Sequence, residues 1–93
     1  MPLQTPNDPF ALALAALAAT LTDERRAQRF LDLTGIETEE LRARAGDPAL
    51  LASVIAFLEA HEPDLLSVSE QIGVKAEALV AARRQIEASE GDG

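Results

Sequence analysis

The sequence predicts an all-α protein, a compact single-domain bundle of five or six short helices. Of its 44 apolar residues, 18 are alanine and 14 are leucine, against four isoleucines, four valines and three phenylalanines. Alanine and leucine favour helices, whereas β-branched and aromatic residues favour strands. Glycine and proline recur between the apolar segments and mark short turns. A chain of 93 residues can bury one core but not two.

The first helix is expected to begin in the sequence NDP at residues 7–9. Asn7 or Asp8 can serve as N-cap, and proline suits the first turn because an N–H there has no helical partner. The apolar side chains that follow at helical spacing and predict its buried face are Phe10, Leu14, Leu17 and Leu21. Alanine fills most intervening positions, so this helix either lies at the centre of the bundle or packs against a second chain.

Two shorter helices follow, separated by a glycine turn. Thr22 is the predicted N-cap of the second helix, and Gly35 is the predicted left-handed residue that ends it. Thr38 is the predicted N-cap of the third helix. The predicted inward positions of the two helices are Ala27, Phe30, Leu31, Thr34, Leu41 and Ala45.

The fourth helix follows the sequence GDP, in which Gly46 closes the preceding helix, Asp47 caps and Pro48 opens the next. Its apolar stripe is the widest in the chain and is expected to form the centre of the core: Leu50, Leu51, Val54, Ile55, Phe57 and Leu58.

The last two helices are separated by Gly73. The fifth helix is expected to begin at Pro63, and the sixth to run over residues 76–88. Their predicted inward positions are Leu65, Leu66, Val68, Ile72, Leu79, Ala82 and Ile86.

Short turns force neighbouring helices to pack together, so we predict one helical domain over residues 8–88. Residues 1–7 are expected to be a loosely ordered N-terminus and residues 89–93 a disordered tail.

The apolar run over residues 9–21 has the length of a signal peptide's hydrophobic region, but Asp8 and no Lys or Arg precede it. We therefore expect a folded helix in a cytoplasmic protein, too short to cross a bilayer.

The charge of the chain bounds its partners. Sixteen acidic and eight basic residues give a net charge of −8 and a pI near 4.4. Such a field repels phosphate backbones and anionic lipid surfaces, which argues against nucleic acid and against membrane as partners. Cysteine is absent, which excludes disulfides and thiolate metal sites.

The segment LDLTGIETEELRARA, residues 31–45, has the pattern of a helix-turn-helix. Its second helix would present Thr38, Glu39 and Glu40 to the DNA bases, and carboxylates oppose binding in a phosphate-lined groove. Residues 25–44 nevertheless carry five arginines against four acids, a net charge of +1 on a chain whose net charge is −8. The candidate interaction surface is this arginine group: Arg25, Arg26, Arg29, Arg42 and Arg44.

A second turn of the same kind lies in VSEQIGVKAEALVAARRQI. The residues that its second helix would present are Lys75, Glu77, Arg83, Arg84 and Gln85. Residues 63–88 hold three bases against four acids, whereas a DNA reader typically has a basic stripe. A helix-turn-helix-like, DNA-associated regulator is the alternative interpretation.

Groups suited to catalysis are sparse. The single histidine, His61, would need a serine beside it for nucleophilic chemistry, and no nucleophile-elbow sequence surrounds any serine. His61, Glu62 and Asp64 could supply metal ligands, but their spacing matches no known metal motif. Placement at helix ends, where charges interact with helix dipoles, accounts for them more simply. We therefore expect no enzymatic activity, no cofactor and no metal.

Four segments together carry a family resemblance: ALALAALA, RFLDLTGIETEELRARA, DPALLASVIAFLEAHEPDLL and IGVKAEALVAARRQI. The chain resembles the bacterial domain-of-unknown-function family 3572 over about residues 9–87. The resemblance implies a small all-helical bacterial domain with no established activity, so it assigns no functional residues to this chain. Beside it, the alanine-rich first helix favours a non-enzymatic interaction or regulatory module that binds an unidentified, more basic protein or forms a homo-oligomer.

Overall fold

The computed structural model describes residues 8–91, and side chains over residues 8–89. Six helices follow one another: α1 Pro9–Thr20, α2 Glu24–Thr34, α3 Thr38–Ala43, α4 Pro48–Glu59, α5 Glu62–Ile72 and α6 Ala76–Gly91. No strand occurs between residues 8 and 91, and the predicted all-α bundle is confirmed. Helix α6 continues past the predicted end at residue 88, so residues 89–91 are helical. The predicted N-terminal segment, residues 1–7, lies outside the described residues.

Helix α4 forms the centre of the core, as its wide apolar stripe predicts. It packs against α1, α5 and α6. Its buried side chains are Leu50, Leu51, Ala52, Val54, Ile55, Phe57 and Leu58. Helix α6 places its predicted residues against the same core, where Leu79, Ala82 and Ile86 are buried.

Helix α1 buries a different face from the predicted one. Among the predicted stripe only Leu17 is buried, whereas Phe10, Leu14 and Leu21 are 40%, 49% and 39% exposed. The residues that α1 buries are Leu12, Ala13, Ala16, Leu17, Ala19 and Thr20. The physical reason is that small side chains let α1 approach α4 and α6 closely, while the helix has no charged residue to fix its orientation.

Helices α2 and α3 each insert one large side chain into the core. Phe30 is fully buried and meets Phe57 of α4 edge to face, with ring centroids 5.3 Å apart. Leu41 is the buried residue of α3. The other predicted inward positions of α2 are less covered, because Leu31 is half-buried and Thr34 is exposed.

Two predicted N-caps are confirmed. The Asp8 carboxylate accepts a hydrogen bond from the Phe10 N–H at 3.0 Å, and the Asp47 carboxylate accepts one from the Ala49 N–H at 2.9 Å. Each caps a helix whose first residue is proline.

Two other N-cap predictions are wrong by one residue. Asp23, not Thr22, caps α2 and accepts from the Arg26 N–H at 3.1 Å, a bond that lowers the pKa of Asp23. The Thr22 hydroxyl instead donates to the Ala19 carbonyl at 2.7 Å, because the chain is still leaving α1 there. Thr38 is the first residue of α3, and the N-cap position before it makes no side-chain bond.

The two glycine turns have the same backbone geometry. Gly35 has φ = 73° and Gly73 has φ = 77°, so both end their helices in the left-handed conformation, which the sequence predicts for Gly35. Of the predicted inward residues of α5, Leu65 and Val68 are buried whereas Leu66 is exposed. Helix α5 begins one residue before the predicted Pro63.

Candidate interaction surface

Helix α1 presents an uncharged apolar strip at the protein surface. Phe10, Leu14 and Leu21 lie four and seven residues apart, a spacing that places them on one side of the helix. The exposed Ala18 lies on the same side, and α1 contains no charged residue from Pro9 to Thr20. We call Phe10, Leu14, Ala18 and Leu21 the α1 stripe. Adjacent exposed apolar side chains of this kind mark interaction surfaces more often than isolated ones do.

An apolar groove adjoins the C-terminal end of this stripe. It has a volume of about 340 Å³ and lies between the end of α1, one face of α2, and α3. The residues of this α1–α3 groove are Leu17, Leu21, Ala27, Leu31, Thr38, Leu41, Arg42 and Ala45. Leu21 belongs to both features, so stripe and groove form one continuous surface.

The groove is open because small side chains line part of it. Ala27 on α2 and Ala45 after α3 are half-buried, and neither fills the space beside Leu41. Helix α3 is a helix of six residues, so it supplies a short wall. Arg42 is the charged residue among those that line the groove.

Arg26, one of the five predicted surface arginines, is buried. Only 5% of the residue is exposed, and its guanidinium donates to the Ala19 carbonyl at 2.7 Å and to the Thr20 carbonyl at 3.4 Å. The last carbonyls of a helix lack helical partners and carry the negative end of the helix dipole. Arg26 therefore stabilises the end of α1 and holds α2 against it, and its assignment to an exposed surface is corrected.

Two further members of the arginine group bind acids within the protein. Arg29 forms an ion pair with Asp64 of α5 and lies over the Phe57 ring, 5.6 Å from its centroid. Arg44 binds Asp47 at 2.9 Å and Glu40 at 3.3 Å. These bonds raise the pKa of Arg44, and the Arg44 guanidinium holds the pKa of Asp47 below its ordinary value.

Arg25 and Arg42 remain exposed, and neither forms an ion pair with any residue that the structure describes. Only Arg42 lies in the α1–α3 groove. The five arginines therefore do not form one surface, and a binding role for the exposed members stays a prediction. Sequence reasoning missed the groove, because it arises where three helices meet.

The helix after the second glycine turn, α6, contains an arginine that binds acidic residues of the same chain. Arg83 forms ion pairs with Glu59 of α4 and with Glu87, the latter at 2.8 Å, and these carboxylates raise its pKa. Lys75 and Arg84 are exposed. Lys75 thus lies just before α6 and Arg84 within it, and both belong to a chain whose net charge is −8.

The residues considered for metal or acid–base chemistry lie at the junction of α4 and α5. His61 is exposed at the N-cap position of α5, and Asp64 is held by Arg29. Over the described stretch, no three His, Cys, Asp or Glu residues form a group that could hold a metal ion. The Ser53 and Ser69 hydroxyls donate to backbone carbonyls of their own helices, at 2.7 and 3.0 Å.

Comparisons with known proteins place the chain in a family. Of the helices described, none has both the length and the apolar character needed to cross a membrane. No curated protein and no solved structure matches the sequence. A family model described as a protein of unknown function (DUF3572) matches residues 6–89. The chain therefore belongs to the DUF3572 family, a family of proteins of unknown function.

Proposed function

We propose that this protein is a non-enzymatic interaction module that binds another protein through the α1 stripe and the α1–α3 groove. One observation carries the proposal, namely that Phe10, Leu14 and Leu21 are 39–49% exposed along one side of a helix that carries no charged residue. Covering a large apolar side chain contributes roughly 1.5–3 kcal/mol. A protein surface that covers the exposed parts of Phe10, Leu14 and Leu21 therefore gains a fraction of this amount at each residue.

The charge distribution supports a protein partner over DNA. Phosphate neutralisation needs basic side chains that are available to the ligand. Arg29, Arg44 and Arg83 are held in ion pairs, and Arg26 is bonded to backbone carbonyls. This chain has a net charge of −8, but the α1 stripe itself is uncharged. A partner that binds there meets no electrostatic repulsion from stripe residues at close range.

The shape of the surface supports a macromolecular partner over a small molecule. Small-molecule pockets enclose most of their ligand. The α1 stripe is a helix face that continues into a groove, and a complementary helix can cover both at once.

A matched pair of leucine substitutions tests the proposal. Leu14→Asp places a charge in the α1 stripe, whereas Leu33→Asp places one on α2 at a leucine that is 75% exposed and lies outside stripe and groove. Both variants and the wild type are used to capture proteins from a lysate of the native host. We expect a stoichiometric protein, or the tagged chain's own untagged copy, that is lost with Leu14→Asp and retained with Leu33→Asp.

The proposal is overturned if all three baits retain the same proteins in the same amounts. Circular dichroism of both variants, with helicity equal to that of the wild type, establishes that any loss arises from the surface and not from unfolding.

A further inference from the structure

We infer that the partner is a second copy of this chain, packed antiparallel across the α1 stripe with Phe10 of each copy seated in the α1–α3 groove of the other. The inference rests on the interaction surface proposed above and identifies its occupant. Its basis is that Phe10 and Asp8, at the start of α1, complement the apolar groove and Arg42, which lie beside the end of α1.

A two-fold axis perpendicular to α1 pairs the Phe10 end of the stripe with its groove end. Phe10 and Leu21 lie eleven residues apart, about 16 Å along the helix axis. A two-fold axis near the middle of α1 therefore places Phe10 of one copy opposite Leu21 of the other, at the mouth of the groove. Leu14 then lies opposite Leu17, a buried residue that lines the groove, and each contact occurs twice, as in any isologous interface.

The groove supplies what the stripe lacks. A stable interface of standard size buries about 800 Å² on each partner. One face of α1, about 18 Å long and about 10 Å wide, is too small to supply that area alone. The groove extends the surface onto α2 and α3, and its volume of about 340 Å³ accommodates an aromatic ring.

Charge complementarity at the groove specifies the same register. Asp8 lies two residues before Phe10, and its Oδ1 atom already accepts the N–H groups of Phe10 and Ala11. Arg42 lies at the groove, is exposed, and has no acidic partner among the described residues of its own copy. When Phe10 enters the groove of the second copy, Asp8 is brought to the Arg42 of that copy, and the pair forms twice.

The net charge of the chain also favours this face for self-association. With a net charge of −8, two copies repel each other over most of their surfaces. The α1 stripe is free of acids between Pro9 and Thr20, so like charges are not brought into contact there.

Sedimentation velocity over a wide concentration range tests the dimer. The wild type should shift with rising concentration from 9.9 kDa to about twice that mass. Phe10→Ala should weaken dimerisation about tenfold or more, because a buried aromatic anchor is lost twice. Leu33→Ala, at an exposed leucine outside the surface, should leave dimerisation unchanged.

A mixing experiment tests the reciprocal geometry. Thr38→Trp fills the groove from an exposed position, so this variant and Phe10→Ala should each dimerise weakly alone. Mixed together they should associate more tightly than either does alone. The Phe10 of the Thr38→Trp copy can enter the open groove of the Phe10→Ala copy.

A double-mutant cycle tests the charge pair. Asp8→Asn keeps an N-cap residue while removing the charge, and Arg42→Gln removes the cation. We expect each to weaken the dimer by about two- to tenfold, with non-additive effects when combined.

The inference is overturned if the wild type stays at 9.9 kDa at every concentration, or if the mixed variants associate no better than the separate ones. In that case the proposed function still holds if Leu14→Asp, but not Leu33→Asp, loses a captured protein of another sequence. If neither variant loses a partner and no dimer forms, both proposals fail.

Discussion

Helices α1 and α4 have the same length, an aspartate N-cap and a proline at the first position, yet α4 buries nearly all of its large side chains and α1 buries only some of them. Helix α4 places its large residues inside and leaves Ala49 and Ala56 exposed. Helix α1 buries Ala13 and Ala16 together with Leu12 and Leu17, and it leaves Phe10 and Leu14 about half exposed. The comparison teaches that apolar composition identifies a helix but not its buried face. A helix that leaves several large apolar side chains exposed has apolar surface that a partner can cover.

The largest expected effect is on the α4 side of this comparison. Leu58 is fully buried in the core, so Leu58→Ala removes apolar contacts and leaves a cavity. We expect it to lower the free energy of unfolding by about 2–5 kcal/mol. Urea denaturation followed by circular dichroism measures the change. A loss below about 1 kcal/mol would contradict the placement of α4 at the centre of the core.

The next effect concerns how the end of α1 is held. Arg26→Met keeps an unbranched apolar stem but removes the guanidinium that binds the Ala19 and Thr20 carbonyls. Hydrogen bonds that involve a charged group contribute about 1.5–3 kcal/mol, and we expect a loss of that size in the free energy of unfolding. Arg25→Met, at the exposed neighbouring position, is the control and should change stability by less than about 0.5 kcal/mol. Equal effects of the two substitutions would contradict the assigned role of Arg26.

A smaller effect is the dependence of the α4 N-cap, Asp47, on pH. The Arg44 guanidinium, with help from the Ala49 N–H, holds the pKa of Asp47 below its ordinary value. Because the folded-state pKa is the lower one, ionised Asp47 stabilises the fold above the unfolded-state pKa. That stability is lost as the pH falls through the folded-state pKa.

The corresponding variants are Asp47→Asn, which keeps the cap but cannot titrate, and Arg44→Gln, which removes the main cause of the shift. Both should flatten the fall in the free energy of unfolding below about pH 4, measured by urea denaturation at a series of pH values. Unchanged slopes in both variants would exclude Asp47 as a contributor to acid sensitivity.

Much of the fold is predictable from the sequence because its signals are local. Gly35 and Gly73 end helices since glycine takes a positive φ without strain, and Asp8 and Asp47 cap helices through bonds to the next turn. The wide stripe of α4 admits one orientation. Each of these features depends on residues within a few positions of one another.

The features that the sequence does not predict depend on contacts between helices. Arg26 and Arg25 are neighbours with the same side chain, and only the position of the α1 carbonyls separates a buried role from an exposed one. Leucine and alanine are both apolar, so no pattern in α1 decides which of them faces α4. The α1–α3 groove follows from these choices. Of the predicted arginine group, Arg42 is the member that the fold brings to the groove.

The smallest expected effect is on the α1 side of the comparison. Leu14 is 49% exposed, so Leu14→Ala removes few contacts within the folded chain. At concentrations low enough to keep the chain monomeric, we expect its free energy of unfolding to change by less than about 0.5 kcal/mol. Since the same substitution at Leu58 removes the same atoms, urea denaturation of the two variants compares the two helices directly. A loss of about 2 kcal/mol or more for Leu14→Ala in dilute solution would show that another part of the same chain covers the α1 stripe. A small loss that grows as the protein concentration rises would place the missing contacts between copies.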